Sequence, residues 1–549
     1  MGADQLSLFE VNYLVVSGVE DARLESAISD LQSLYLSRYE KSLKVLKSGS
    51  PKHSIRFEAR DIGEGGAFSI RRDRTRVIIQ GTDAEAWAHA IYAICSDIMG
   101  ARWYWSGELG FEWVEPKATH FKNQLWLEQP AFIQRRLYPV DSDFGRRNRL
   151  NSVYSFNHNL ARIFSSELFD KTPEVFAEVN GRRKAPDGSA ARDPQPDFAN
   201  PLTVEIAAQA ALDYFEANPT RTSYSLSIND NVLFDTTADT EAIVSPLRYF
   251  RDRPNYTDLV FGFMNQVAER VFNQAGAWQT PSGEPRYITA LAYYWTEPAP
   301  SMPLHARVMP VLTSDRAQWH DPLYRLEDIA LIQDWAESGA ERVATWDYYF
   351  GAPYIYPRQF NQWVDESLKH LAAAGVDVFF SQLPSFWGLD GAKAWLATEL
   401  LWSPRQDADD LLDEYYRNFF GEAADSVRAF YERAENHRSA FEGQADWIKL
   451  YKDESGISLF TEDVLIEMRG YIEQAKVEVK LDGRRLARVE VISNAFRLTE
   501  HYERYNRTRQ VLTWMALREP QQKVALEKQL TAYQHAKSAY REYLEGYLA

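Results

Sequence analysis

An amide and a carboxylate stand side by side at the end of one alternating segment of the chain. In residues 223–229 large apolar side chains alternate with serines and Asn229, and Asp230 follows directly. Such alternation is typical of a strand with one apolar face, so we expect the serines and Asn229 to face inward. One carboxylate beside an amide suits hydrolysis of a 2-acetamido glycoside, in which the substrate's own acetamido oxygen attacks the anomeric carbon. In this hypothesis Asn229 orients and polarises the acetamide, while Asp230 protonates the leaving oxygen.

Aromatic and charged side chains follow most of the other strand candidates. Pyranose rings stack on aromatic faces, and their hydroxyls bond to arginine, amide and carboxylate groups, so this mixture is typical of a sugar site. Packing explains any single tryptophan, but the same character recurs at one strand end after another. The candidate substrate-binding residues are Arg135, Arg136, His158, Trp295, Trp346, Asp347, Tyr348, Tyr349 and Trp387.

Two other interpretations stay open, and each gives the Asn229–Asp230 pair a different role. An α-glucuronidase-like or other glycosidase would use Asp230 with a second direct carboxylate, and the two adjacent arginines would clamp a uronate. The candidates for that carboxylate are Asp347, Asp315 and Glu297. A carbohydrate-binding protein without catalysis would use the aromatic wall alone. Asn229 and Asp230 would then form only a turn or a helix cap, positions that both residue types favour.

The elements that must position these residues alternate between strand and helix. Helix-length segments, among them 203–215, 258–275, 326–338 and 359–374, separate eight strand candidates. This rhythm predicts a (β/α)₈ TIM-like barrel over residues 129–402, in which catalytic residues lie at the carboxyl ends of the strands. The strand candidates are 132–138, 150–157, 175–180, 223–229, 287–294, 307–313, 343–349 and 376–382.

Two further regions flank the predicted barrel. Residues 1–128 combine short strands at 54–58, 67–71 and 75–80 with helices at 21–36 and 84–99, which predicts a small α+β domain. Residues 403–549 have helical periodicity with charged outer faces, which predicts a helical domain. Its predicted helices are 407–420, 424–437, 461–477, 485–511 and 521–548.

Composition narrows the function classes. The chain has 549 residues with a net charge of −17, which argues against a nucleic-acid partner, because phosphates require a basic face. Cys95 is the single cysteine, so there is no internal disulfide framework, and we expect no metal or other cofactor. No apolar run reaches the ~18–20 residues that span a bilayer, so we expect no membrane partner.

Neither the localisation nor the oligomeric state follows from these features. The first residues lack a signal-peptide pattern. We expect a secreted or periplasmic protein whose signal has been removed, with a cytoplasmic location left open.

Several segments resemble a large group of bacterial glycosidase-like proteins. They are 386–404 (FWGLDGAKAWLATELLWSP), 407–421, 173–181 (PEVFAEVNG) and 225–231 (SLSINDN). Residues 81–116, with RWYW at 102–105, resemble the small N-terminal domain of that group. That domain is shared with α-glucuronidases and family 20 β-N-acetylhexosaminidases. The resemblance implies a retaining glycosidase with a (β/α)₈ barrel.

The resemblance also implies roles for individual residues. Asn229 and Asp230 match the position of the Asp-Glu pair of family 20, although here the polariser is an amide and the acid is one methylene shorter. By the same resemblance one of the two adjacent arginines binds sugar hydroxyls, and a tyrosine after Asp347, either Tyr348 or Tyr349, bonds the acetamide oxygen. Tryptophans wall the acetamide pocket there, which implies Trp295, Trp346 and Trp387. The group often has cysteines soon after the strand-four acid, and residues 232–241 have none.

Together these features predict a retaining exo-β-N-acetylhexosaminidase that acts on glycans with a terminal 2-acetamido sugar. The resemblance favours β-N-acetylgalactosaminidase as the more specific activity. The configuration at C4 of the sugar and the choice between exo and endo action stay open.

Overall fold

The computed structural model describes residues 6–16, 18, 20–350, 355–383, 386–440, 454–519 and 521–548. Its N-terminal region is a six-stranded mixed sheet of order β10-β5-β6-β4-β2-β3, with the predicted strands 54–58, 67–71 and 75–80 at its centre. The second helix begins after Asp83, whose carboxylate accepts the Ala86 N–H. The elements are β1 (Leu6–Ser7), β2 (Tyr13–Val15), α1 (Ala22–Tyr39), β3 (Lys44–Leu46), β4 (Ser54–Ala59), β5 (Phe68–Asp73), β6 (Arg76–Gly81), α2 (Ala84–Ala93), β7 (Ala101–Trp103), β8 (Phe111–Trp113), β9 (His120–Phe121) and β10 (Trp126–Glu128).

The middle region carries a parallel sheet of six strands in the order β11-β20-β19-β18-β17-β14, which curves into a half-barrel. Its elements are β11 (Gln134–Tyr138), α3 (Ser142–Arg147), α4 (Leu160–Ile163), α5 (Ser166–Lys171), β12 (Glu178–Val179), β13 (Arg182–Arg183), α6 (Pro201–Ala217), β14 (Ser223–Ser225), α7 (Ala238–Val244), β15 (Tyr249–Phe250), β16 (Arg253–Pro254), α8 (Thr257–Ala268), β17 (Tyr287–Ala292), β18 (Val308–Thr313), α9 (Pro322–Ala336), β19 (Ala344–Tyr348), α10 (Asn361–Ala373), β20 (Val378–Gln382) and α11 (Trp387–Trp402).

Among the described residues the sheet has six strands rather than the eight predicted, because neither residues 150–157 nor residues 175–180 pair with it. Residues 150–157 run through the gap between β11 and β14 without a backbone ladder. Side chains take its place: Gln134 Oε1 accepts the Tyr154 N–H at 2.7 Å, and Ser223 Oγ accepts the Ser155 N–H at 2.9 Å. Residues 175–180 instead lead into the β12–β13 hairpin. Because side chains accept these backbone N–H groups, the segment satisfies its hydrogen bonds without pairing as a strand.

Alternate residues of the half-barrel face two different environments. Leu226, Ala290, Leu312 and Phe379 point outward and join the core formed with the surrounding helices. The inward residues form a separate apolar cluster, to which β17, β18, β19, β20 and the segment 150–157 contribute. Its members are Tyr154, Phe156, Tyr287, Leu291, Met309, Val311, Ala344, Val378 and Phe380. This alternation decides which candidate site residues reach the interior.

The C-terminal region is helical, as predicted. Its helices are α12 (Ala408–Phe420), α13 (Ala424–Ser439), α14 (Glu454–Ser458), α15 (Glu462–Glu478), α16 (Gly483–Arg518) and α17 (Lys523–Leu548). The long α16 crosses α11 at Gly388, where a Cβ would stand 2.6 Å from the Val491 carbonyl oxygen. The absence of a side chain at Gly388 therefore lets the helical region lie directly against the half-barrel.

Candidate active site

Asp230 lies at the carboxyl edge of the sheet, directly after the extension of β14, and its side chain is exposed. The Tyr293 side chain, one residue beyond β17, hydrogen-bonds to the Asp230 carboxylate. Burial, together with neighbouring Tyr348 and Asp230, raises the pKa of Tyr293 far above its ordinary value. The phenol therefore keeps its proton and donates to the carboxylate, which holds Asp230 beside two tyrosine hydroxyls.

Asn229 is buried, with 2% of its surface exposed, and its side-chain orientation is fixed by its neighbours. Its Nδ2 donates to the carbonyl oxygens of Pro194 at 2.9 Å and Asp193 at 3.3 Å. Carbonyl oxygens only accept, so the amide cannot be flipped. Asn229 Oδ1 has no donor among the described residues. An unpaired buried acceptor costs about 1–3 kcal/mol, and a ligand N–H would relieve that cost.

The candidate residues at the end of β19 alternate between the inward and the outward face of the sheet. Trp346 and Tyr348 face inward, where the ring centroids of Trp346 and Phe380 are 4.1 Å apart. Tyr348 is 4% exposed, and burial followed by the charges of Asp315, Asp230 and Asp347 raises its pKa well above 10. Tyr348 therefore faces the interior of the half-barrel.

Asp347 and Tyr349 are corrections to the predicted site, because both face outward. Tyr349 packs into the helix-facing core. Asp347 is fully buried and accepts from Arg316 Nη1 at 3.2 Å and from the Tyr348 N–H at 2.7 Å. Burial raises the pKa of Asp347 to about 6, although Arg316 opposes the shift. Asp347 therefore belongs to an ion pair between the sheet and its outer layer.

The other two candidate carboxylates are also fully buried and paired. Glu297 forms salt bridges with Arg251 and with Arg253, the latter at 2.9 Å, and burial still raises the pKa of Glu297. Asp315 pairs through Oδ2 with Arg358, and its Oδ1 has no donor among the described residues. Neither carboxylate is accessible in the way that Asp230 is.

The two adjacent arginines of β11 point to opposite sides. Arg136 faces inward and lies over the rings of Tyr138 and Phe380, at 5.1 and 5.3 Å from their centroids. Arg135 is fully buried on the other side, where it lies over Trp402 and donates to the Phe132 carbonyl at 2.6 Å. Burial lowers the pKa of Arg135 to about 9. Arg136 therefore faces the interior of the half-barrel, whereas Arg135 is buried on the outer side and is a correction to the predicted site.

His158 stands beside Tyr293, with 5.9 Å between the ring centroids. Its Nδ1 is 2.6 Å from the Ile228 carbonyl oxygen. Because a carbonyl only accepts, Nδ1 carries the hydrogen of this bond. His158 is therefore oriented by the same segment that carries Asp230.

The remaining tryptophans lie at the periphery. The ring centroids of Trp295 and Tyr294 are 5.3 Å apart, and those of Tyr294 and Tyr293 are 4.7 Å apart. Trp387 packs on Phe144 at 4.7 Å, beside β11. The structure thus brings together Asp230, Asn229, Arg136, His158, Trp346 and Tyr348, and leaves Arg135, Asp347 and Tyr349 on the outer side.

Tyr293 is the residue that the sequence reasoning missed. It has the inward parity of Tyr287 and Leu291 on β17, so counting by two along the predicted strand would have found it. In the described part of the chain no group of three or more His, Cys, Asp or Glu side chains could hold a metal ion. No helix in that part is both long and apolar enough to cross a membrane.

A family model described as "Domain of unknown function (DUF4838)" matches residues 112–432, more than half of the chain. The chain belongs to this family. The DUF4838 match runs from β8 into α13 and includes all six strands of the half-barrel, with Asp230, Tyr293 and Tyr348. No curated protein matches the sequence.

Solved structures of two glycoside hydrolases share the fold of this DUF4838 protein. A family GH115 4-O-methyl-α-glucuronidase with specificity for decorated arabinogalactans aligns with a TM-score of 0.55 and 11% identity, over 96% of this chain and 76% of that chain. A family GH138 enzyme targeting pectin rhamnogalacturonan II aligns with a TM-score of 0.52 and 11% identity, over 97% and 74%. A family GH20 chitobiase from Flavobacterium johnsoniae aligns with a TM-score of 0.40 and 11% identity, over 98% of this chain and 97% of that chain. That TM-score is too low to indicate a shared fold.

Proposed function

We propose that this protein is a retaining glycoside hydrolase that removes terminal β-linked 2-acetamido sugars from glycans. Asp230 is the general acid and base, and the substrate's acetamido oxygen is the nucleophile. The fold shared with two glycoside hydrolases supports a glycosidase. A terminal β-N-acetylgalactosaminide is the first substrate to test, because the resemblance in the sequence favours it.

The observation that carries the proposal is the exposure of Asp230. A general acid must reach the leaving oxygen to within hydrogen-bond distance. Of the four candidate carboxylates, Asp230 is exposed, while Asp315, Asp347 and Glu297 are each 0% exposed and held by arginines. A site with one accessible carboxylate suits a substrate that supplies its own nucleophile.

The proposed reaction needs one carboxylic acid, Asp230, which first gives a proton and then takes one back. The acetamide oxygen bonds to C1 as the bond from C1 to the leaving oxygen breaks, and Asp230 gives its proton to that oxygen. Asp230 then takes a proton from water as the water attacks C1, which reopens the ring intermediate with retention. Tyr348 donates to the acetamide oxygen, Asn229 Oδ1 accepts the acetamide N–H, and Trp346 packs against the methyl group.

The test is a panel of chromogenic β-GalNAc, β-GlcNAc, β-galactoside and α-glucuronide substrates, with a thiazoline that mimics the cyclised acetamide as inhibitor. We expect turnover of the 2-acetamido sugars alone, blocked by the thiazoline. Asp230→Asn should lower kcat by about 10²–10⁴-fold, the usual contribution of a general acid. The matched control is Asp239→Asn, which removes an exposed carboxylate of α7 and should leave kcat unchanged. Turnover that the thiazoline does not inhibit would refute the acetamide as nucleophile.

A second candidate, an α-glucuronidase-like enzyme with two direct carboxylates, is favoured by the inward guanidinium of Arg136 and by the unpaired Asp315 Oδ1. It requires hydrolysis of the α-glucuronide without thiazoline inhibition. Asp315→Asn would then lower kcat as strongly as Asp230→Asn. Glycan binding without turnover of any substrate would instead indicate a carbohydrate-binding protein.

A further inference from the structure

The backbone on both sides of Asp230 is held by one buried side chain. Gln195 is 0% exposed and lies in the segment 190–195, which crosses the end of β14. Its Nε2 donates to the carbonyl oxygens of Asn229 at 2.8 Å and Asn231 at 2.9 Å. Its Oε1 accepts the Asn229 N–H at 2.8 Å. One amide thus bonds to the residue before Asp230 and to the residue after it.

The same two segments are joined by further hydrogen bonds around this amide. The Asp230 N–H donates to the Ala190 carbonyl at 2.8 Å, and Asn231 Nδ2 donates to the Asp193 carbonyl at 2.7 Å. The Gln195 N–H donates to the Leu233 carbonyl at 3.0 Å. The loop that carries the proposed acid is therefore fixed by its backbone, whereas the Asp230 carboxylate itself is exposed to solvent.

We infer that Gln195 is a positioning residue for the proposed acid, an inference that rests on the proposed function. Glutamine alone supplies two donors and one acceptor at this reach. Methionine has a similar length but replaces none of the three hydrogen bonds. A glutamate keeps the acceptor, but it offers a donor only while its carboxyl is protonated. A displacement of about 1 Å at a catalytic group can lower a rate about 10²-fold.

The variants Gln195→Met and Gln195→Glu test this role, and Gln209→Met is the matched control. Gln209 is exposed on α6, where its amide donates to Asp213 one turn away at 2.6 Å. Kinetics use the chromogenic 2-acetamido substrate that the wild type turns over best. Hydrogen–deuterium exchange of the peptides covering residues 226–236 reports the backbone independently of activity.

We expect Gln195→Met to lower kcat about 10–100-fold with KM within about threefold of wild type, and to speed exchange at residues 229–231. Gln195→Glu should recover part of kcat at acidic pH and lose it as pH rises, because the ionised carboxylate repels the two carbonyl oxygens. A purely structural role would not produce that pH-dependent recovery. Gln209→Met should match wild type in both measurements.

The outcomes separate this inference from the proposed function. Wild-type exchange at residues 229–231 in Gln195→Met overturns the positioning role, whatever the activity. Faster exchange with wild-type kcat overturns it as well, because the position of the loop would then not limit the reaction. A wild-type protein that is inert on every substrate overturns the proposed function instead, and the exchange result still decides whether Gln195 holds the loop.

Discussion

Two adjacent tyrosines on opposite faces of β19 offer a matched test of the site. We predict that Tyr348→Phe lowers kcat strongly and that Tyr349→Phe does not. Tyr348 faces the interior beside Asp230 and Asp315, and its raised pKa keeps the hydroxyl protonated. It is therefore a hydrogen-bond donor at every pH at which the protein is assayed.

The magnitude follows from what the substitution removes. Phenylalanine keeps the ring contacts of Tyr348 with Phe350 at 6.0 Å and Trp346 at 6.5 Å, so packing and KM should change little. The loss is one hydrogen bond that holds the acetamide oxygen in line for its attack on C1. Positive charge develops on the acetamide as this oxygen gives up electron density, so the hydroxyl acts by orienting the nucleophile. Displacing a reacting group by about 1 Å can lower a rate about 10²-fold, which is the loss in kcat that we expect. A hydrogen bond that only aided binding would raise KM and leave kcat unchanged.

The assay is steady-state kinetics on the best 2-acetamido substrate, with thermal unfolding as a check on folding. Tyr349 packs against Phe360 and Phe379, each at 5.6 Å, so Tyr349→Phe should keep kcat within about twofold. Equal effects of the two substitutions would refute the assignment of faces. Wild-type kcat in Tyr348→Phe would refute the role of its hydroxyl.

Three further predictions concern other described residues. Burial and Asp235 raise the pKa of Asp197 to about 6, so the stability from its bound proton is full below about pH 4 and lost as pH rises through 6. Asp197→Asn should therefore raise the free energy of unfolding at pH 8 by at most ~3 kcal/mol for about two pKa units, and leave it unchanged at pH 4, which thermal unfolding at the two pH values measures. Arg136→Met should raise KM without lowering Tm, whereas Arg135→Met, which leaves buried carbonyls unpaired, should lower stability by about 1–3 kcal/mol in urea unfolding. Gly391→Ala would place a Cβ 2.1 Å from Trp105 Nε1 and should lower the free energy of unfolding by about 1–3 kcal/mol in urea unfolding, with KM unchanged.

Much of the fold could be predicted from the sequence because its elements carry local signals. The helices of the C-terminal region and the strands β17 to β20 follow from periodicity and from breaking residues. The segments 150–157 and 175–180 could not be predicted in this way. Their extended or apolar character is real, but their backbone partners are side chains such as Gln134 and Ser223, or a local hairpin. Those partners become neighbours only after the sheet has formed.

The sequence could show which strand ends carry the candidate residues, but not which of those side chains face inward. At the end of β14, alternation placed the outward Leu226 and Ile228 correctly, because the apolar residues there mark the helix-facing side. On β11 and β19 the outward positions include the charged Arg135 and Asp347, so composition does not show which side they face. Gln195 could not be found at all, because its role depends on a crossing between segments that are more than thirty residues apart.

The alternation along β19 also bears on the choice between one carboxylate and two. If Asp347 were to face inward, the strand would have to shift by one residue, which would turn Trp346 and Tyr348 into the helix layer. That shift would also remove Asp347 from Arg316, a fully buried arginine that would then keep Asp328 as its one carboxylate partner among the described residues. Losing one partner of a buried ion pair costs about 3–5 kcal/mol, so the register is strongly fixed. What β19 can present to a sugar is therefore a phenolic hydroxyl and an indole, a combination that suits a substrate bringing its own nucleophile.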